Sequence, residues 1–171
     1  MAGYVIHLAV AEQYIRKHKD ENNNYEEFIN GVIFPDSVKD KSKTHYGSES
    51  SKSNLYNFLL DKSLDTAFNR GYFLHLLTDY IFYNKYLDCI SKDIYNDYDI
   101  LNKTLIEKYN VNLPKEIQNS VFFLKGKLKI LSLEMIEKLI EEISNMCIDE
   151  IKDDIIKDHL KWTKMKNLKR L

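Results

Sequence analysis

The sequence predicts an all-α protein, a single-domain helical bundle spanning residues 1–171 and built around one central metal-binding helix. Three observations carry this. Glycine (5) and proline (2) are scarce in 171 residues, while Leu, Ile, Lys, Glu and Asp abound, a composition that suits helices better than turn-rich sheets. Apolar residues recur at three- and four-residue spacing in one segment after another. The stretch from Gly71 to Tyr80 reads as the middle of a long apolar helix, interrupted by one imidazole, His75, and one carboxylate, Asp79.

Taken in order, Val5, Leu8, Ala9, Ala11 and Ile15 predict a first helix from Tyr4 to His18, closed by Arg16 and Lys17 where basic residues suit the helix dipole. Asp20 to Asn24 reads as a polar loop and Tyr25 to Asn30 as a short helix. Pro35 should push Phe34 out of the α region and present Asp36 at a turn. Residues 37–53, rich in Ser and Lys, predict a long loop carrying His45, and loops of that length are usually functional or disordered. Asn54 to Leu60 is a short apolar helix. Ser63, with Thr66 nearby, should cap the central helix, expected from Leu64 to Ile90.

Beyond Ser91 the pattern predicts amphipathic helices over Asp99 to Tyr109 and Lys115 to Leu124, the second led by Pro114. Ser132 should cap a helix running to about Met146, and a last helix should cover Asp149 to Lys169 with a solvated basic end. Residues 91–171 therefore read as a packing half. Cys89 and Cys147 are far apart, without CxxC neighbours, and read as small buried apolar residues.

Charge and segment length exclude several classes. With 25 basic and 26 acidic residues, no global field draws the chain to nucleic acid or to an anionic membrane. The amino-terminal stretch lacks a basic n-region, no run reaches the length of a membrane span, and no stretch reads as a lipid-binding surface, so the expected location is cytoplasmic.

The chemistry gathers in the first half. His75 and Asp79 are four residues apart, so on a helix they share a face and can point at one ion. A carboxylate among Phe73, Leu74, Leu77 and Ile81 is costly without a positive partner. His7, Asp36 and His45 bring the candidate ligands to three imidazoles and two carboxylates, a set suited to zinc or another borderline divalent metal. His18 and His159, in charged sequence, read as surface residues. Tyr72, Tyr80 and Tyr83 read as core or supporting hydrogen-bonding groups.

In order, His7-Leu-Ala-Val-Ala-Glu12, Gly31-Val-Ile-Phe-Pro-Asp36, Lys43-Thr44-His45-Tyr46 and Gly71-Tyr-Phe-Leu-His75-Leu-Leu-Thr-Asp79-Tyr80 resemble the bacterial zinc-dependent phospholipase C family, over roughly residues 3–85. The resemblance implies an all-α fold and a metal cluster that hydrolyses phosphoric esters. It implies that Asp36, His45, His75 and Asp79 hold one zinc and that Asp79 bridges to a second ion also held by His7; in the family's secreted enzymes the mature amino terminus completes that second site. The family's third ion needs an HxxxE-type pair and another histidine, and beyond Asp79 this chain offers only His159. One or two ions are thus expected, with Asp36 as ligand or general base and Asp40, Lys43 and Tyr46 as candidate substrate contacts. The expected substrate is a small phosphate ester, nucleotide or phospholipid. Two alternatives stand beside this: a non-catalytic metal-stabilised domain, and an HD-type phosphohydrolase, whose required adjacent His-Asp pair does not occur.

Overall fold

A computed structural model describes residues 2–171. It is all-α, as the sequence predicts. The helices are α1 (Tyr4–Lys17), α2 (Tyr25–Ile33), α3 (Lys41–His45), α4 (Leu55–Asp61), α5 (Ala67–Ile81), α6 (Asp93–Tyr109), α7 (Leu133–Ser144) and α8 (Ile148–Lys157). Two-residue strands β1 (Cys89–Ile90) and β2 (Lys169–Arg170) pair in parallel. One continuous hydrophobic core unites these elements.

Helix α5 is the centre of the bundle: from Gly71 to Asp79 every residue is buried, the polar His75, Thr78 and Asp79 included. It packs against α1, α2, α4 and α8. Its start is fixed by Thr66, whose hydroxyl accepts from the Asn69 N–H at 3.2 Å. Ser63, the expected cap, lies before the helix, where its carbonyl accepts from the Asn69 side chain. The helix also ends earlier than Ile90. After Ile81 the chain widens into a π turn, Phe82–Tyr86, and leaves as β1.

The tightest contact is between α2 and α5. A Cβ on Gly31 would lie 1.9 Å from the Phe68 carbonyl oxygen, and one on Gly71 would lie 2.0 Å from that of Phe28. Hydrogen in place of a side chain at both positions lets the two backbones touch. Helix α2 runs three residues past the expected Asn30 because Gly31 is packed inside it rather than breaking it.

Other expectations need correction. Phe34 stays helical (φ −56°, ψ −46°) despite preceding Pro35, held by contacts of its ring with Phe68 and Tyr72, so α2 passes directly into a 3-10 turn at Phe34–Asp36. The long loop is not structureless: Asp40 caps α3, and Ser50–Lys52 forms a further 3-10 turn. Asp20 to Asn24 is likewise a 3-10 segment, Lys19–Asn24.

In the second half α6 begins at Asp93, six residues before Asp99. The amphipathic helix expected over Lys115 to Leu124 is a single 3-10 segment, Lys115–Ser120, followed by an irregular strap. Ser132 caps α7 as expected, accepting from the Met135 N–H at 3.1 Å. The last helix stops at Lys157. The basic tail then turns back, Lys166 donating to the Leu87 carbonyl at 2.6 Å and β2 pairing with β1. Cys89 and Cys147 are free and only half-buried.

Candidate metal centre

Five side chains meet at the middle of the bundle, each delivered by a different local device. His7 rides the buried face of α1. Asp36 ends the 3-10 turn that α2 and Pro35 set up. His45 is the last residue of α3, and His75 and Asp79 are successive turns of α5. All five are buried, His45 and Asp79 completely and none more than 6% exposed.

Four of their atoms form a compact group. His45 Nε2 lies 3.2 Å from His75 Nε2, 3.1 Å from Asp79 Oδ2 and 3.5 Å from Asp36 Oδ1. His75 Nε2 lies 3.3 Å from Asp79 Oδ2 and 3.6 Å from Asp36 Oδ1. Ligands about 2.0–2.1 Å from a tetrahedral ion are about 3.3–3.4 Å apart, so these separations match the edges of an ion's coordination shell.

The hydrogen-bond accounting supports the same conclusion. His75 Nδ1 lies 2.7 Å from the Val32 carbonyl and His45 Nδ1 lies 2.9 Å from the Lys41 carbonyl. A carbonyl accepts and cannot donate, so both Nδ1 atoms carry hydrogen and, in the neutral rings, both Nε2 atoms are lone pairs. Two lone pairs and two carboxylate oxygens then converge with no donor among them. Such a set can be satisfied by a positive charge at its centre, either a metal ion or a proton on His75.

The second oxygen of each carboxylate turns toward His7. Its Nε2 is 3.1 Å from Asp79 Oδ1 and 3.9 Å from Asp36 Oδ2. Neither ring nitrogen of His7 makes a hydrogen bond, and neither do the two oxygens of Asp36. The His7 ring stacks on that of His75 at 3.6 Å. The backbone N–H of buried Ala2 donates to Asp79 Oδ1 at 3.0 Å. His7, His75 and Asp79, and Asp36, His45 and His75, are groups that can hold a metal ion.

The charges shape one another. Burial lowers the pKa of His75, but the Asp36 and Asp79 carboxylates outweigh it and raise the imidazole to about 9. Burial raises the pKa of Asp36, but the positive charge of His75 holds it at about 2. At 3.6 Å this last effect is charge acting across space rather than a hydrogen bond. His7, with burial and the neighbouring His75 charge against it, is pushed below its ordinary value. Without a metal, a proton on His75 therefore does part of a cation's work.

A layer of supporting contacts fixes α3. Tyr72 donates from its hydroxyl to the Thr44 carbonyl at 2.6 Å, and Thr44 donates to the Pro35 carbonyl at 2.8 Å. His45 and Asp36 are thereby tied together through the residues beside them. The sequence marked Tyr72 as a supporting group, but the Val32 and Lys41 carbonyls carry no signal in a side-chain pattern.

The three residues expected to touch substrate stand elsewhere. Asp40 caps α3, accepting from the Ser42 N–H at 3.2 Å and the Ser42 hydroxyl at 2.6 Å. Lys43 is exposed. Tyr46 adopts a left-handed conformation (φ 59°) and donates to Asp61 at 2.6 Å. Glu12, part of the first motif, is bonded by the Tyr25 hydroxyl rather than by the cluster. His18 stacks on Tyr14, and His159 on Tyr56.

A cavity of about 400 Å³ opens beside the cluster, with Asp36 in its wall. Gly3 and Tyr4 form one side, and Tyr98, Asn102 and Phe122 form the other. The second half of the chain thus supplies much of the cavity, a role that its helical pattern did not disclose. No helix among the described residues is long and apolar enough to cross a membrane.

Compared with protein-family models, curated proteins and solved structures, the chain matches none.

Proposed function

We propose that this protein is a metal-dependent phosphoric-ester hydrolase using one or two zinc ions. The observation that carries the reading is the convergence of His45, His75, Asp36 and Asp79 at coordination-shell spacing, with a cavity ending at Asp36. The ordered motifs that resemble the zinc-dependent phospholipase C family support the same reading.

His45 Nε2, His75 Nε2, Asp36 Oδ1 and Asp79 Oδ2 would hold one ion, and four protein ligands would make a closed site of a structural kind. His7 Nε2 with the outward oxygens of Asp79 and Asp36 supplies three ligands to the second, a number that leaves room for water or substrate. The chemistry a divalent ion would supply there is a lowered pKa for a water and neutralisation of charge on phosphoryl oxygens. Asp36 and Asp79 each place one oxygen toward His45 and His75 and the other toward His7, so both would contribute to either site. Asp36, which lines the cavity, would serve there as a ligand or as the general base for an attacking water. The cavity wall contains no Lys or Arg, and burial raises the pKa of the Tyr98 phenol well above its usual value, so the phenol stays protonated as a neutral polar group.

Metal content and hydrolysis of nitrophenyl phosphate mono- and diesters, measured on the wild type and on His7→Ala, test the proposal. The wild type should bind zinc and turn over one of these esters, and His7→Ala should keep the four-ligand ion but lose turnover. A wild type free of zinc after zinc loading defeats the reading. Zinc-loaded protein inert toward both esters would favour the metal-stabilised domain instead.

A further inference from the structure

The strap that follows the 3-10 segment presents its largest apolar side chains to solvent. Phe122 is 62% exposed, Phe123 59% and Leu124 47%. Such a triplet on a floppy loop would mean little, but this one is built into the fold. Val121 and Leu131 are buried at its two ends. Asn102 donates from its side-chain amide to the Phe122 carbonyl at 2.9 Å, and the Leu124 N–H donates to the Asp99 carbonyl at 3.1 Å. Buried Asp97 accepts from the N–H groups of Lys129, Ile130 and Leu131, at 2.7–3.2 Å. The polar face of α6 therefore holds the strap's backbone while its apolar tips project away from the core.

The next residues decide what covers them. Lys125, Lys127 and Lys129 alternate with Gly126 and Leu128, and residues 121–131 contain no acid. Lys129 pairs with Asp93 at 3.1 Å, whereas Lys125 and Lys127 are exposed and make no ion pair among the described residues. Apolar tips beside unpaired cations complement a bilayer whose interface is apolar below and anionic above. Phe122 and Asp36 both line the cavity, so the strap borders the space beside the cluster.

We infer that Phe122, Phe123 and Leu124, with Lys125 and Lys127, form a docking surface for an anionic lipid bilayer. The inference stands whether or not the metal centre is catalytic. Flotation of the full chain with phosphatidylcholine vesicles, with and without phosphatidylserine, tests it. The wild type should float with the phosphatidylserine vesicles, and rising salt should release it. The Phe122→Ser, Phe123→Ser, Leu124→Ser triple variant should lose binding at least about tenfold by the area of apolar surface removed. Lys125→Gln and Lys127→Gln should each weaken binding about fivefold, as expected for one cation near an anionic surface. All the substitutions are on exposed side chains, and an unchanged circular dichroism spectrum and melting temperature would confirm that each variant is folded. A wild type that stays at the bottom of the gradient with both vesicles overturns the proposal, as does equal binding by the triple variant. So does a wild-type dimer in sedimentation velocity that the triple variant abolishes, since a second copy would then be what covers the patch.

Discussion

Gly31 and Gly71 occupy reciprocal positions in the α2–α5 contact, each pressed against the backbone of the other helix. One consequence is chemical. The carbonyl of Val32, next to Gly31, reaches His75 Nδ1 at 2.7 Å only because nothing separates the helices. The closeness of two backbones thus sets the tautomer of a ligand one turn away.

Gly71→Ala should therefore act twice. The added methyl meets backbone rather than a movable side chain, so it should destabilise the metal-free protein by about 2–3 kcal/mol, the upper part of the range for overpacking. It should also weaken zinc binding, because α2 must retreat from His75. Urea denaturation and zinc titration check the two effects separately.

Tyr72→Phe removes the hydroxyl that holds the Thr44 carbonyl, one residue before His45. The ligand set stays whole, so binding should persist but weaken about 10- to 100-fold, as is typical when a supporting partner of a metal ligand is lost. Competition against a chromophoric zinc chelator measures this. Affinity equal to the wild type would mean that α3 keeps its place without the tyrosine.

The raised pKa of His75 gives a pH signature. In the unfolded chain this imidazole titrates near 6.5, and in the metal-free folded chain at about 9. A raised pKa adds stability that is fully present below 6.5 and is lost as pH rises through 9. The metal-free protein should thus become less stable between those limits, while a bound ion, replacing the proton, spares the loaded form. The drop in melting temperature on chelation should be larger at pH 9 than at pH 6.5. On the acid side, Asp36, depressed to about 2, contributes stability present above its ordinary 3.8 and lost as pH falls toward 2.

Asp97→Ala takes the acceptor from three consecutive N–H groups in the strap. With partly buried donors left unpaired, the loss should reach about 3 kcal/mol. Amide exchange at Lys129, Ile130 and Leu131 should rise more than in α1 or α5.

Much of the centre was legible because its ligands lie in contexts that make little sense otherwise: His75 and Asp79 one helical turn apart in an apolar run, and Asp36 just after Pro35. Helix α1 and the Ser132 cap were legible from local spacing. What escaped was decided by contacts distant in sequence. Phe34 remains helical because of Phe68 and Tyr72, and α5 ends at Ile81 because the chain must widen and pair with residues 169–170. The strap was expected as helix since Val121 to Leu124 satisfies an apolar count. Only the anchors on α6 explain why the same residues face outward.

Helix α1 carries His7 on one side and is gripped on the others by α6, α7 and the start of α8, with Lys17 donating to Ser144 at 2.9 Å and Tyr14 accepting from the Ile148 N–H at 3.0 Å. The carboxy-terminal half contributes none of the five imidazole and carboxylate groups but packs against the helix that carries His7. A substitution in α7 that shifts α1 should therefore move His7 relative to the other four groups while leaving all five side chains unchanged.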